Sequence, residues 1–265
     1  MTARERLPRP GPVSRRAALF SGGGLVVGAA AASAGWAAAD PSAPATAASA
    51  TAASATASAA PGSAVIPPDD DLMREHGVLK RVLLCYREMI ATAQSGGQLS
   101  AAHVQDSALI IHDFIEGFHE GLEEGYVFPR LIQAGRLKST VDTLLVQHAR
   151  GRVITQFLLT HATPGQLASP GMKTRLATAM RAFDRMYEPH EAREDTVIFP
   201  AFRDLLTGTE LTDLGRHFAD LERQQFHADE FTAMVNRVAG IEQELGIYDL
   251  NQFTPVVTQY LPPTA

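Results

Sequence analysis

Two short blocks of this 265-residue chain carry residue types and spacings suited to holding a metal ion. His119-Glu120-Gly121-Leu122-Glu123 runs on to Phe128-Pro129, and His190-Glu191-Ala192-Arg193-Glu194 runs on to Phe199-Pro200. His, Glu, Glu, Phe and Pro recur at identical offsets, 71 residues apart. A lone histidine precedes each block: His76 lies 43 residues before His119, and His148 lies 42 before His190. On a helix, residues i and i+4 share a face, with Cβ atoms about 5–6 Å apart. His119 with Glu123, and His190 with Glu194, can therefore each present an imidazole and a carboxylate to one point. Two hairpins related by a pseudo-twofold axis would bring four imidazoles and two carboxylates to one cavity. There a carboxylate from each half can bridge two metal ions while the histidines bind terminally. Imidazole with carboxylate suits iron, manganese or zinc, and no thiolate set biases the choice toward a soft metal.

Other metal chemistries fit less well. A zinc protease needs HExxH on a helix, and both copies here read HExxE. Ferritin-like di-iron bundles use Glu-x-x-His with further glutamates, the reverse order and a more carboxylate-rich set. Hydrolase nucleophile motifs and phosphate-binding glycine loops are absent. His103, His112, His161, His217 and His227 read as ordinary, partly exposed residues. His112 sits two turns before His119, but the residue 71 positions on is Phe183, so it has no counterpart in the second block.

These residues need helices to position them, and helical periodicity dominates the chain; strand alternation and Asn-Gly or Asp-Gly hairpin turns are missing. Segment 70–95 places Leu72, His76, Leu79, Leu83 and Ile90 on helical spacings and stops at Ser95-Gly96-Gly97. A second helix is predicted from Ser100, a good N-cap, to Pro129 or a turn beyond. A third should begin near Ser139, with Asp142 completing an approximate capping box, and end near His161. A fourth starts at Ser169-Pro170 and runs to about Pro200, and a fifth covers 210–244. Four long helices with short connections predict an all-α fold, an antiparallel up-and-down four-helix bundle with an additional C-terminal helix.

With this pattern in place, the chain resembles the hemerythrin-like (HHE cation-binding) family over about residues 69–205. The resemblance is carried by His76, His119-Glu120-x-x-Glu123, Phe128-Pro129, His148, His190-Glu191-x-x-Glu194 and Phe199-Pro200. It implies a bundle holding two non-haem iron ions, oxo- or hydroxo-bridged, that bind dioxygen or related ligands. The implied metal ligands are His76, His119, Glu123, His148, His190 and Glu194, with the two glutamates as bridges. One departure is plain: oxygen carriers have a second histidine one turn after the helix-three ligand, and Arg152 stands there. One iron should then keep an open or water-filled position. Glu120 and Glu191 neighbour ligands but point about 100° away on an ideal helix. Pro189, directly before His190, should kink the fourth helix.

The first quarter of the chain is different in kind. Arg4, Arg6, Arg9 and the Arg15-Arg16 pair precede an uncharged Gly/Ala/Val run closing at Ala37-Ala38-Ala39, which resembles a twin-arginine export signal over 1–39. Residues 40–68 read as an Ala/Ser/Thr/Pro tether, 69–250 as the bundle and 251–265 as a tail. Of 23 basic and 29 acidic side chains, five and one fall in 1–39, leaving 18 and 28, a net −10. That balance argues against nucleic acid and anionic lipid as partners, save for an uncleaved signal acting as an anchor. The expected location is the periplasm, cell envelope or exterior of a bacterium. The single cysteine, Cys85, excludes an internal disulfide framework and reads as a small buried residue.

Three functions follow. The first is an exported di-iron protein that binds O2, NO or peroxide. The second is a peroxide-consuming oxidoreductase of catalase or peroxidase type, with Tyr187 and Tyr126 as candidate proton or electron donors. The third is an iron-binding protein without turnover.

Overall fold

The computed structural model describes residues 65–226 and 230–257, which are helical with no strand among them. The proposed signal, nearly all of the tether, His227 and the end of the tail lie outside the described residues.

Seven α-helices follow in order. α1 is Pro68–Gln94, with Pro68 at its first position and Asp69, Asp70 and Asp71 in its first turn, where the positive helix end favours them. α2 is a continuous run over 101–133, opened by Ser100, whose hydroxyl accepts the His103 N–H at 3.3 Å. α3 is Lys138–His161, α4 the single turn Pro164–Leu167, and α5 a continuous run over 170–203. α6 is Gly208–Phe226 and α7 is Glu230–Leu245, followed by a 3₁₀ turn, Leu250–Phe253. None of the described helices is long and apolar enough to cross a membrane.

α1 packs on α2 and α5, and α3 packs on the same two helices. The space they enclose is filled by Leu72, Leu79, Leu83, Tyr86, Phe114, Phe128, Phe183 and Phe199, all buried. Cys85 is among them, and burial pushes its thiol up to about 12, so it packs as an apolar group.

Three local expectations are corrected. The third helix is not capped by Ser139. Its N-cap is Leu137 in the left-handed region at φ 55°, and Asp142 pairs with Lys138 at 2.7 Å instead of closing a box. Ser169 does occupy the N-cap of α5, but its hydroxyl makes no capping bond. The predicted single fifth helix over 210–244 is two segments. The Glu222 carboxylate accepts the Phe231 N–H at 3.0 Å, nine residues on, whereas one straight helix would set those positions about 13 Å apart at 1.5 Å per residue. The chain therefore folds back between α6 and α7.

The long helices are not uniform. Ile111–His119 and Glu123–Val127 in α2, and Glu194–Ile198 in α5, are wound as π-helix. The last two occupy equivalent places in the repeat, each beginning at the second glutamate of its block and ending before Phe-Pro. Pro129 and Pro200 have no N–H to give and would clash with the carbonyl four residues earlier. A wider turn relieves the clash: the Phe128 N–H bonds Glu123 O, and the Phe199 N–H bonds Glu194 O, each five residues back. Pro189 is accommodated within the α-helical part of α5, which continues past it to Arg193.

Candidate metal centre

All six residues that the sequence singled out meet in the interior. His76 on α1, His119 and Glu123 on α2, His148 on α3, and His190 and Glu194 on α5 are each buried, with Glu123, Glu194 and His148 at 0% exposure. Two three-residue groups, His76/His119/Glu123 and His148/His190/Glu194, each bring one ligand atom per residue within 4.8 Å of the others, so each could hold a metal ion. The carboxylates lie between the two imidazole pairs. Glu123 sets one oxygen 3.6 Å from His119 Nε2 and the other 3.5 Å from His148 Nε2. Glu194 sets Oε2 3.1 Å from His190 Nε2 and 3.5 Å from His76 Nε2, with Oε1 4.0 Å from His148 Nε2. Each carboxylate thus spans from one half of the repeat to the other.

Every imidazole is aimed by a bond on its far side. His76 Nδ1 bonds Asp195 at 2.7 Å, His119 Nδ1 bonds Glu75 at 2.8 Å, His148 Nδ1 bonds Glu124 at 3.0 Å and His190 Nδ1 bonds Gln147 at 2.9 Å. With Nδ1–H donating outward, each Nε2 lone pair faces the centre, the arrangement metal-binding histidines use. The stacked rings obey the same pseudo-twofold plan. Phe199 lies against His76 with centroids 5.5 Å apart, and Phe128 against His148 at 5.7 Å, so each Phe-Pro block braces the lone histidine of the other hairpin.

These outer partners were missed in the sequence, although the signal was present. Glu124 and Asp195 are the residues directly after Glu123 and Glu194, and Glu75 and Gln147 directly precede His76 and His148. The repeat is therefore longer than HxxxE: an acid follows each block's second glutamate, and a hydrogen-bonding side chain precedes each lone histidine.

The charges in the site are closely coupled: against burial, Glu123 and Glu75 hold His119 above the ordinary imidazole range, and Glu124 and Glu123 do the same for His148. Neither oxygen of Glu123 or of Glu194 has a hydrogen-bond donor, although all four are buried. His148 Nε2 and His190 Nε2 face each other at 3.2 Å, and with both Nδ1 protons directed outward two lone pairs would meet there. Burial and the adjacent Glu123 push Glu194 above the ordinary carboxylate range. Burial acts on Glu123 too, but His119, His148 and His76 outweigh it and hold that carboxyl down. Burial, with His148 alongside, brings His190 down to about 4, which keeps it neutral. A cation between the halves would pair with both carboxylates and separate the nitrogens, so the donor set fits a bound metal.

Arg152 turns to the acidic residues beside the centre. Its guanidinium reaches Glu120 at 2.6 Å and Glu124 at 2.8 Å. Lys80, four residues after His76 as Arg152 is four after His148, pairs with Glu191 at 2.9 Å. The acid of each HE pair is thus tied to a cation of the other half, and neither Glu120 nor Glu191 belongs to the two central groups. Glu120, Glu124 and His148 also cluster, but Arg152 already supplies the charge there.

Of the two candidate tyrosines, only Tyr187 is at the site. Its hydroxyl donates to Glu120 at 2.6 Å and its ring lies 5.0 Å from that of His190. Gly151 makes room for it: a Cβ on that residue would come within 2.2 Å of the Tyr187 oxygen. Tyr126 points elsewhere, bonding His217 at 2.9 Å and packing on Phe218 of α6. The remaining described histidines stand apart: His103 pairs with Glu244, exposed His112 with Asp113, and His161 with the Phe157 carbonyl.

Comparison with known proteins gives relatives of the same kind of length. The uncharacterized protein Rv1995 of Mycobacterium tuberculosis (strain ATCC 25618 / H37Rv) is 50% identical over 186 residues, covering 70% of this chain and 73% of that one. The chain belongs to this mycobacterial family. The uncharacterized protein Mb2018 of Mycobacterium bovis matches to the same extent. No family model and no solved structure matches.

Proposed function

We propose that the chain is an exported non-haem di-iron protein whose centre binds dioxygen, nitric oxide or peroxide. The observation that carries this reading is the pair of donorless carboxylates, Glu123 and Glu194, set between two imidazole pairs whose Nε2 atoms face inward. His76, His119, His148 and His190 would be the terminal ligands, and the two glutamates the bridges. Iron held there would supply a redox-active Lewis acid for small oxygen and nitrogen ligands. The protein's part is to fix the ligand rings through Glu75, Glu124, Gln147 and Asp195 and to keep the surroundings apolar with Phe128 and Phe199. An antiparallel bundle of α1, α2, α3 and α5, the hemerythrin-like resemblance and the twin-arginine pattern of 1–39 belong to the same reading.

A second reading, peroxide consumption, is favoured by Tyr187. A buried phenol beside a ligand ring, bonded to a carboxylate and seated on a helix-interior glycine, is a placement that ordinary packing does not require.

Metal content per chain, measured by plasma mass spectrometry on residues 40–265 expressed in iron-replete medium, tests the first reading. About two irons per chain are expected from the two groups of three ligands. No iron, or a single tightly held zinc, would sink it. For the second reading, Tyr187→Phe should lose peroxide turnover while retaining iron, and unchanged turnover would remove the tyrosine from the chemistry.

A further inference from the structure

The two halves of the repeat are alike at the centre but not at their outer faces. A cleft of about 270 Å³ opens between the start of α3 and α5, walled by Ser139, Thr140, Thr143, Gln147, His190 and Arg193. One of its walls is thus a candidate ligand, and another is the amide that holds that ligand's Nδ1. Shifting back by 72 residues for α3 and 71 for α5 gives the same places in the first half: Pro67, Pro68, Asp71, Glu75, His119 and Leu122. All but Pro67 are buried.

The C-terminal helix pair packs over this side. Phe226 of α6 sets its ring edge on Phe118 at 5.4 Å, and Phe231 of α7 lies under the Arg74 guanidinium at 4.2 Å. α6 also crowds the chain just before α1, since a Cβ on Gly215 would come within 2.2 Å of the Ile66 carbonyl. The groove that remains between α2 and α6 is walled by Phe118, Leu122 and Leu221, and touches neither His76 nor His119. α6 and α7 thus fill, over one half, the space that stays open over the other.

We propose that the cleft beside His190 is the entrance to the centre, and that α6 and α7 close the mirror-related entrance, making the site one-ended. This rests on the metal reading above. Leu144 and Pro189 give the walls an apolar part, and the polar wall groups are hydroxyls, an amide and a guanidinium able to donate, so the entrance suits small polar or anionic molecules. The walls opposite, Asp71 and Glu75, are acidic and would repel such ligands.

The test uses the iron-loaded full chain. Thr143 is exposed and is not a candidate ligand, so Thr143→Trp fills the cleft without removing a donor. Ser139→Trp, one turn earlier, is the second plug should the first perturb folding. Transfer of iron to a chromogenic chelator and the association rate of azide should both slow by about tenfold or more, with iron content unchanged. Adding Phe226→Ala to the plug should restore part of the rate by loosening the closed side. Wild-type rates in both plugged variants, with iron intact, overturn the entrance. A wild-type chain that holds no iron overturns the metal reading itself, a different result.

Discussion

Replacing Glu194 by Gln should raise the stability of the metal-free protein and lower that of the loaded one. The carboxylate is fully buried, has no donor on either oxygen and stands beside Glu123, so burial and like charge both oppose its ionised form. Relieving one buried, donorless charged group is worth about 1–3 kcal/mol. For a domain of about 150–250 residues each kcal/mol moves Tm by about 2–4 °C, so the variant should melt about 4–8 °C higher in the presence of a chelator for a gain near 2 kcal/mol. Metal reverses the order. At a free concentration about 1,000-fold above Kd, the wild type gains about 4 kcal/mol, whereas the variant has lost a bridging ligand and gains little. Thermal unfolding followed by circular dichroism, with chelator and with ferrous iron under anaerobic conditions, reads both signs. A variant that is less stable than wild type in chelator would refute the reasoning, because Glu194 would then be an ion-pair partner of charged histidines and not a ligand held ready for a cation.

Other expectations are simpler. His119→Ala should lose metal while exposed His112→Ala keeps it; equal metal content by mass spectrometry would break the ligand assignment. Gly151→Ala should cost about 1–3 kcal/mol by driving a methyl into Tyr187, and Tyr187→Phe in the same chain should recover part of that, seen as a positive coupling in denaturant unfolding. Burial, partly offset by the Thr155 hydroxyl at 2.6 Å, raises Glu116 from 4.5 to about 7. The folded state then holds a proton that the unfolded chain releases, so stability is full below pH 4.5 and falls as pH rises toward 7. At about 1.4 kcal/mol per pH unit the ceiling is about 3 kcal/mol. Glu116→Gln should flatten that part of the stability–pH curve in urea titrations, and an unchanged slope would assign it to other groups.

The sequence made the centre legible because a metal site imposes identity and spacing together. The i,i+4 offset of His119 and Glu123, repeated at His190 and Glu194, left few other uses for four buried polar residues. Helix limits set by Gly96, Ser100 and Pro170 were equally readable, since each acts through its own backbone. What escaped was set by contacts across the fold. The Nδ1 partners sit one residue from the candidate ligands, in plain view, but only the packing of α1 and of α3 on both α2 and α5 tells which ring each one serves. The role of Phe-Pro was hidden for the same reason: the proline widens its own helix, while the phenylalanine braces a histidine of the other hairpin. What Arg152 does in place of a ligand was hidden, because its reach to Glu120 depends on a neighbouring helix. The fold-back between α6 and α7 had no local signal as clear as Gly or Pro, and a single long helix was the simpler pattern.

The four outward Nδ1 bonds have a consequence for how the centre would be filled. Each ring is already held in one orientation by its Nδ1 partner, so an arriving ion has little conformational disorder to remove. The competitor for the same atoms is the proton, since burial beside Glu123 raises Glu194 above the ordinary carboxylate range. Loading should therefore register as acid released into a weakly buffered solution, in proportion to the metal taken up, with the helix content of the protein almost unmoved.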